Sequence, residues 1–414
     1  MHTGTGAAQG VFAASGRHGT ETGFAPTMYP TRLGSLKGQS SNGQPMHVVL
    51  HIGTHKTRTS SLQTFLQLNA SVLLKRGILY AAPEGHRNAN FLFKDLSCAE
   101  GRQANAFLRG FVTKARRTGA DVILLSAEAF YAMTTFRQLI DGTVVDDYRA
   151  AEARAIGRLR AAIPQAAIAT ICCYFRRQDR FLESLYNQVV KVDAYAGSVL
   201  DFLYLTKPAL DYAGHLDLWR AAFPRAKIMA RNQEGLANGI VEDFLHSVLG
   251  LEDRSGLTPP ELHINKRLGR DVLEYKRILN RIPCSKAQRH MNAEVVAEIS
   301  QAIGDGRSYQ QYLDSAARAR ILARARIGNE ALVQTYDMQP FLEPDCDPEP
   351  PAYPGLSTER AIEILARHRK IKNSFSYRRR WLGVAVADSL RRRGGVAAPL
   401  LKVLRRAGVH NLFK

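Results

Sequence analysis

Short apolar runs alternate along this chain with longer amphipathic segments. The runs at residues 48–52, 122–125, 167–175 and 227–231 are typical of strands that are buried on both faces of a parallel sheet. The longer segments carry apolar side chains at helical spacing. They cover residues 59–76, 104–118, 147–163 and 211–223. This alternation predicts an α/β fold in which helices flank a central parallel sheet.

The alternating pattern ends towards both termini. Residues 1–44 are rich in Gly, Thr, Ser and Ala without periodicity, and we expect them to be disordered. The folded domain is predicted to span residues 45–340, with residues 286–338 as helical additions at its C-terminal side. Residues 341–356 are acidic and Pro-rich, which is typical of a linker, and residues 357–414 are predicted to form a basic helical tail.

Positive charge is concentrated in the tail. Between Arg367 and Lys414 there are 14 Lys or Arg residues and one acid, so +13 of the net charge of +20 lies there. Together with its short apolar runs, this composition suits contact with an anionic membrane surface, and a solvated basic tail is the alternative interpretation. No nucleic-acid-binding motif stands out, so no nucleic-acid partner is expected.

The cysteine content and the hydropathy pattern indicate in which cellular compartment the protein is expected. The five cysteines include no Cys-x-x-Cys pair, which argues against a zinc site and favours a reducing compartment. No apolar run reaches the ~20 residues that a membrane-spanning helix needs. The expected location is therefore the cytoplasm, with peripheral membrane association through the tail as a further expectation.

The loop after the first apolar run carries a dense set of polar side chains. It reads Thr-His-Lys-Thr-Arg-Thr-Ser-Ser over residues 54–61 and leads directly into a predicted helix. This loop brings together an ammonium, several hydroxyls and the N–H groups of a helix N-terminus, so the expected ligand is an anion. A Walker A loop is unlikely on this pattern, because Leu50 stands where its first glycine should be and His55 precedes the lysine.

This loop instead resembles the 5′-phosphosulfate loop of sulfotransferases that use 3′-phosphoadenylyl sulfate (PAPS). The residues that match the family pattern, Lys-Thr-Gly-Thr-Thr/Ser often followed by Leu-Gln, are Lys56, Thr57, Thr59, Ser60, Leu62 and Gln63. Arg58 departs from it, because the family usually has glycine there. If the loop needs a left-handed residue at that position, the side chain costs roughly 1–2 kcal/mol, and Arg58 would either crowd or bind the phosphates.

A second motif follows the third apolar run. In the same family, an Arg at the end of a strand and a Ser eight residues later on the next helix bind the 3′-phosphate, and Arg176 and Ser184 have this spacing. A guanidinium binds two phosphate oxygens, and the hydroxyl adds a third bond. The resemblance also makes Lys266 and Arg267 candidates for closing over the nucleotide. The alternative interpretation of the arginines is a solvated basic helix start.

The resemblance implies a P-loop-like α/β domain that transfers a sulfuryl group from PAPS to a hydroxyl or amine acceptor, with a carbohydrate or glycolipid favoured and no metal required. Lys56 would stabilise charge on the leaving phosphate. Glu128 is the first candidate for the general base and His55 the second, although Glu128 could instead cap the next helix. Two alternatives stay open: a catalytically impaired nucleotide- or glycan-binding protein, and an ATP-dependent small-molecule kinase.

Overall fold

The computed structural model describes residues 46–83, 86–98, 101–135, 147–165, 167–260, 267–304, 312–342, 353–374, 376–379 and 381. Within these residues a five-stranded sheet has the order β2-β3-β1-β4-β5, and every pairing is parallel. The strands are β1 (His47–His51), β2 (Ile78–Tyr80), β3 (Val122–Ser126), β4 (Ile168–Phe175) and β5 (Lys227–Asn232). The predicted α/β fold with a central parallel sheet is confirmed.

Helices connect the strands and extend beyond the last one. The helices are α1 (Thr59–Leu68), α2 (Ala70–Lys75), α3 (Leu92–Cys98), α4 (Arg102–Thr118), α5 (Tyr148–Ala162), α6 (Gln178–Val192), α7 (Val199–Thr206), α8 (Tyr212–Ala222), α9 (Gly239–Asp243), α10 (Arg270–Leu279), α11 (Lys286–Ile303), α12 (Ser315–Tyr336) and α13 (Thr358–Asn373). Short 3₁₀ turns occur at Glu128–Phe130, Lys207–Leu210 and Gln233–Gly235, and a π turn at Phe244–Val248. The expected helical additions therefore follow the sheet.

Two details of the first crossover differ from the sequence pattern. The segment after the first helix, which is not among the apolar runs predicted as strands, contributes the edge strand β2, because its backbone pairs with β3. The helix predicted to run to residue 76 is interrupted at Asn69. The side-chain amide of Asn69 donates to the carbonyls of Phe65 and Thr258, at 2.9 Å and 2.8 Å. A side chain that bonds to the backbone competes with the regular helix at this point.

The sheet separates two apolar clusters. Val48 and Leu50 of β1 pack with α6, while Val49 packs with α1 on the opposite face. The adjacent Cys172 and Cys173 in β4 also divide between the two clusters, as expected from side chains that alternate along a strand. Helices therefore cover both faces of the sheet, and this burial on both sides explains why the strands read as continuous apolar runs.

The order of the strands creates a crevice at one edge of the sheet. After β1 the chain continues to β2 and β3, which lie on one lateral side of β1, whereas after β4 it continues to β5 in the opposite lateral direction. The strands β1 and β4 are themselves hydrogen-bonded neighbours. In open parallel sheets, ligands bind at the carboxyl ends of the strands where the connections diverge in this way. The loops that the sequence singled out are the two loops that border this crevice.

Parts of the predicted linker and tail contact the domain. Arg360 of α13 forms an ion pair of 3.1 Å with Asp271, and Tyr353 donates a hydrogen bond of 2.8 Å to the same carboxylate. Ile364 is completely buried. The basic segment from residue 382 onwards lies outside the described residues. Within the described ranges, no helix combines the length and the apolar character needed to cross a membrane.

Candidate functional site: a cationic crevice at the sheet edge

Three adjacent strands bring the candidate residues to one edge of the sheet. Glu128 follows β3, Lys56 follows β1 and Arg176 follows β4. The β1 and β4 ends are joined by the backbone bond from Ile52 N–H to Cys172 O, at 2.9 Å, and the loop is joined to β4 by a bond from Thr54 N–H to Tyr174 O, at 3.1 Å. The first loop therefore starts beside the strand end that carries Arg176.

The loop after β1 has an unusual backbone. Lys56 and Arg58 both adopt left-handed conformations, with φ of 69° and 62°. The buried hydroxyl of Thr57, between them, donates a 2.7 Å bond to the carbonyl of Thr54 and thereby holds the turn. Gly53 is required for a different reason, since a Cβ there would lie 2.7 Å from Nε2 of His51. Arg58 is the N-cap of α1, and no side chain caps that helix.

The Lys56 ammonium lies among other cations. It donates to the side-chain oxygen of Gln188 at 3.3 Å. No carboxylate of the described residues lies within ion-pair distance of it, although Glu128 acts on it at longer range. Burial is the largest cause that lowers the pKa of Lys56 to about 8, and three nearby cations lower it further. They are Arg267, Lys191 and Arg176. The crevice thus concentrates positive charge that a bound anion would neutralise.

Arg176 is held by an acid in the 3₁₀ turn that follows β5. Its Nε lies 3.3 Å from Glu234, which also accepts from Arg180 at 3.1 Å. Among the described residues, neither Nη atom of Arg176 has a hydrogen-bond partner. Arg177, by contrast, turns away from the crevice and is buried in an ion pair with Asp179 at 2.8 Å. Only one of the neighbouring arginines therefore offers guanidinium N–H groups to a ligand.

One stripe of α6 faces the loop. Ser184, Gln188 and Lys191 follow one another at spacings of four and three residues, so they lie on the same side of the helix. Gln188 touches Lys56, and Lys191 is near enough to lower the pKa of the Lys56 ammonium. Ser184 is buried one turn before Gln188. This helix therefore extends the site from Arg176 back towards Lys56.

Glu128 is part of a hydrogen-bonded chain beside the loop. Its carboxylate accepts a short hydrogen bond from the Gln63 amide, and Gln63 in turn accepts from Asn88 at 2.8 Å. Glu128 occupies the first turn of the 3₁₀ segment Glu128–Phe130, and its carboxylate contacts Gln63 of α1. Gln63 and Asn88 fix the direction of this carboxylate.

His55 lies next to the Glu128 carboxylate, with Nδ1 at 3.9 Å from Oε1. Burial lowers the pKa of His55 below 6.5, with Lys56 adding to this effect and Glu128 opposing it. The lowered pKa favours the neutral imidazole, which is the form that accepts a proton. His51 lies deeper, where burial lowers its pKa to about 4, and its Nδ1 bonds to the Ser126 hydroxyl at 2.7 Å.

Several predicted residues lie elsewhere or play other roles. Arg58 is exposed at the end of the loop, Ser60 is exposed in the first turn of α1, and Arg267 is exposed beside Lys56 and Arg176. Lys266 lies outside the described residues. Thr59 is buried in the first turn of α1.

The sequence reasoning missed Gln188, Lys191 and the role of Glu234. The position of Gln188 and Lys191 on the same helical stripe as Ser184 is the signal that could have found the first two. The described residues contain no cluster of His, Cys, Asp and Glu suited to a metal ion.

The fold and the site define an α/β protein with a cationic crevice at the carboxyl edge of a parallel sheet. No family model and no solved structure matches the chain. It is similar to an uncharacterized protein from Archaeoglobus fulgidus, with 28% identity over 173 residues. The match covers 41% of this chain and 46% of the archaeal protein, so the chain spans about half the length of that relative.

Proposed function

We propose that this protein is a PAPS-dependent sulfotransferase. The observation that carries the proposal is that Lys56 and Arg176 follow the adjacent ends of β1 and β4, where Thr54 N–H bonds to Tyr174 O at 3.1 Å, so that both cations border one crevice. A ligand with phosphate groups at both ends of one nucleoside would neutralise both cations. A nucleotide with only a 5′-phosphate chain would leave Arg176 without a phosphate partner.

Different residues of the crevice would bind the two phosphorylated ends of PAPS. The first turn of α1, Lys56 and the hydroxyl of Ser60 would bind its 5′ end, since uncapped helix N–H groups favour anions. Thr57 would keep the loop in shape, because its hydroxyl is already bonded to Thr54. Arg176, with both Nη groups directed to the ligand, and Ser184 would bind the 3′-phosphate.

PAPS supplies the sulfuryl group, whose bond to the 5′-phosphate oxygen breaks as a bond to the acceptor oxygen forms. Lys56 neutralises the negative charge that develops on that phosphate oxygen. Glu128 accepts the proton of the acceptor hydroxyl, and Gln63 holds its carboxylate in place. His55, whose lowered pKa favours the neutral imidazole, is the second candidate for this base. The acceptor we propose is a carbohydrate or a glycolipid, with the basic segment from residue 382 onwards associating with an anionic membrane surface.

Binding of adenosine 3′,5′-bisphosphate (PAP), measured by isothermal titration calorimetry, tests the nucleotide assignment. Lys56→Ala and Arg176→Ala should each weaken binding by about tenfold or more, because each removes a charge-assisted contact. Lys227→Ala is the matched control, since Lys227 is exposed at the start of β5, at the opposite edge of the sheet. Unchanged PAP binding in both crevice variants would contradict the proposal. Tighter binding of ATP than of PAP would also contradict it and would favour a kinase.

Turnover separates an active enzyme from a binding protein. With PAPS and a panel of hydroxyl acceptors, Glu128→Gln should lower kcat by roughly a hundredfold or more, as expected for loss of a general base, while PAP affinity stays within about twofold. PAP binding without turnover on any acceptor would favour the impaired-enzyme alternative, in which the arginine at position 58 replaces the glycine of active relatives.

A further inference from the structure

A cavity lies beside the start of α6, and no residue of the Lys56 loop lines it. It has a volume of about 410 Å³ and is formed by α7, the 3₁₀ turn after it, the start of α8 and one side of α12. Gln178, at its floor, is bonded to Asn329 of α12 at 2.6 Å. Small-molecule sites typically measure about 300–1,000 Å³. We call this cavity the α7–α12 groove.

The body of the α7–α12 groove is apolar and open to solvent. Leu203, Leu210 and Ile321 line it. At its mouth, Tyr204 is 81% exposed and Leu200 is 61% exposed, although both are large apolar side chains on a short helix. Adjacent large apolar side chains exposed around a concavity mark a binding surface, unlike single exposed residues scattered over a surface.

The charged groups at the rim favour a negatively charged ligand. Lys207 and Arg324 both line the groove, and neither forms a hydrogen bond or an ion pair with any residue that the structure describes. The one acid of the lining, Asp211, is already occupied, because it binds Arg149 at 2.8 Å and caps α8 through Gly214 N–H at 3.1 Å. Among the described residues, the rim therefore presents two cations without an acidic partner above an apolar body.

We propose that the α7–α12 groove binds a single-chain amphipathic anion, with an aliphatic or aromatic body and one sulfate, phosphate or carboxylate head. The apolar side chains bury the body and exclude water from it. Lys207 and Arg324 bind the head by charge-assisted hydrogen bonds. The basic C-terminal segment of this chain is a poor occupant, because its charge has the same sign as the rim.

Decyl sulfate below its micelle concentration is a suitable probe, with isothermal titration calorimetry as the readout. One molecule should bind per chain. Decanol, which lacks the charge, and decyltrimethylammonium, which reverses it, should bind about tenfold more weakly or not at all. Equal affinity for all three probes would overturn the role of the rim cations, and no binding of decyl sulfate at about 1 mM would overturn the site itself.

Two independent variants locate the site. The double variant Lys207→Glu/Arg324→Glu should weaken decyl sulfate binding by about tenfold or more, and Ala325→Trp should weaken it by filling the groove. The matched control is Arg116→Glu/Arg117→Glu, which changes the net charge equally on the exposed last turn of α4. Thermal unfolding of each variant shows whether it is folded, and binding unchanged in both groove variants would overturn the proposal.

The groove must also be distinguished from the crevice at the sheet edge. Lys56→Ala/Arg176→Ala should retain decyl sulfate binding, since neither residue lines the groove. Loss of decyl sulfate binding in that variant would place the probe in the nucleotide crevice and overturn the proposal. The result does not depend on the proposed sulfotransferase activity, because no donor or acceptor is present in the experiment.

Discussion

At the scale of single residues, the loop after β1 stores backbone strain in two side-chain-bearing residues. Lys56 and Arg58 are both left-handed, which costs roughly 1–2 kcal/mol for each residue with a side chain. Such strain persists only where the surrounding structure compensates for it. Here the Thr57 bond to Thr54 and the Lys56 bond to Gln188 supply that compensation. Arg58 itself is exposed, so its side chain does not fill the crevice.

The lowered pKa of Lys56 predicts a pH-dependent affinity for PAP. In the free protein this amine loses its proton near pH 8, whereas a bound anion stabilises the charged form and raises the pKa in the complex. Affinity should therefore be constant below about pH 7 and fall by up to about tenfold per pH unit above pH 8. Titration calorimetry between pH 6.5 and 9.5 measures this.

Lys56→Arg is the matched variant for that measurement. A guanidinium stays protonated throughout this range, so its affinity profile should be flat above pH 8 even if its absolute affinity is lower. A wild-type profile as flat as that of the arginine variant would show that Lys56 does not bind the anion.

At the scale of elements, β4, α6 and the turn after β5 position the second cation. Glu234 lies in the 3₁₀ turn after β5 and accepts from Nε of Arg176, which leaves both Nη groups directed elsewhere. An acid that binds a guanidinium through Nε orients it for a bidentate contact with a phosphate. Glu234 is therefore a positioning residue for the proposed 3′-phosphate site.

Substitution of Glu234 tests this positioning role. Glu234→Gln keeps an oxygen that accepts the Nε hydrogen bond, so PAP affinity should remain within about threefold of wild type. Glu234→Ala removes the acceptor, and affinity should fall by about tenfold because Arg176 is no longer oriented. Affinity for 5′-AMP, which lacks the 3′-phosphate, should not change in either variant. If Glu234→Ala instead binds PAP more tightly, the carboxylate competes with the phosphate.

At the scale of the whole molecule, buried histidines couple the stability of the fold to pH. His215 lies between α5 and Tyr131, where its Nε2 is buried without a partner among the described residues. Burial, with a contribution from Arg149, lowers its pKa from 6.5 to about 3. Burial lowers the pKa of His51 and of His368 to about 4. The native protein therefore keeps these rings neutral well into the acid range.

His215 should make the protein less stable as the pH falls. Below pH 6.5 the unfolded chain binds a proton that the native state excludes, so the free energy of unfolding should fall by about 1.4 kcal/mol per pH unit for this residue down to its native pKa of about 3. The free energy of unfolding of His215→Phe, measured by urea denaturation, should lack this part of the pH dependence. The difference in the free energy of unfolding between wild type and variant should be constant from pH 7 to 8. From pH 6 to 5 the wild type should lose stability relative to the variant. A difference that stays constant down to pH 5 would contradict the prediction.

The local pattern of the sequence accounts for much of this molecule. The apolar runs predicted β1, β3, β4 and β5, because a continuous apolar run rich in β-branched residues is a property of each segment alone. The polar loop after β1 and the spacing of Arg176 and Ser184 supplied the candidate anion-binding residues, since those signals lie within one strand–turn–helix unit. The strand β2 was missed because Ile78–Tyr80 is too short to show a pattern, and only its pairing with β3 makes it a strand.

Tertiary structure decided how these units meet. Nothing local in the sequence places β1 between β3 and β4, and that order alone brings Lys56 to within 3.3 Å of Gln188, 132 residues further along the chain. The same packing gave Arg176 its acid partner Glu234 and turned Arg177 away into the core. The sequence by itself determined which segments become strands, helices and polar loops, because these depend on neighbouring residues. Only the fold decided which charges lie together, because that depends on contacts between segments that are distant in sequence.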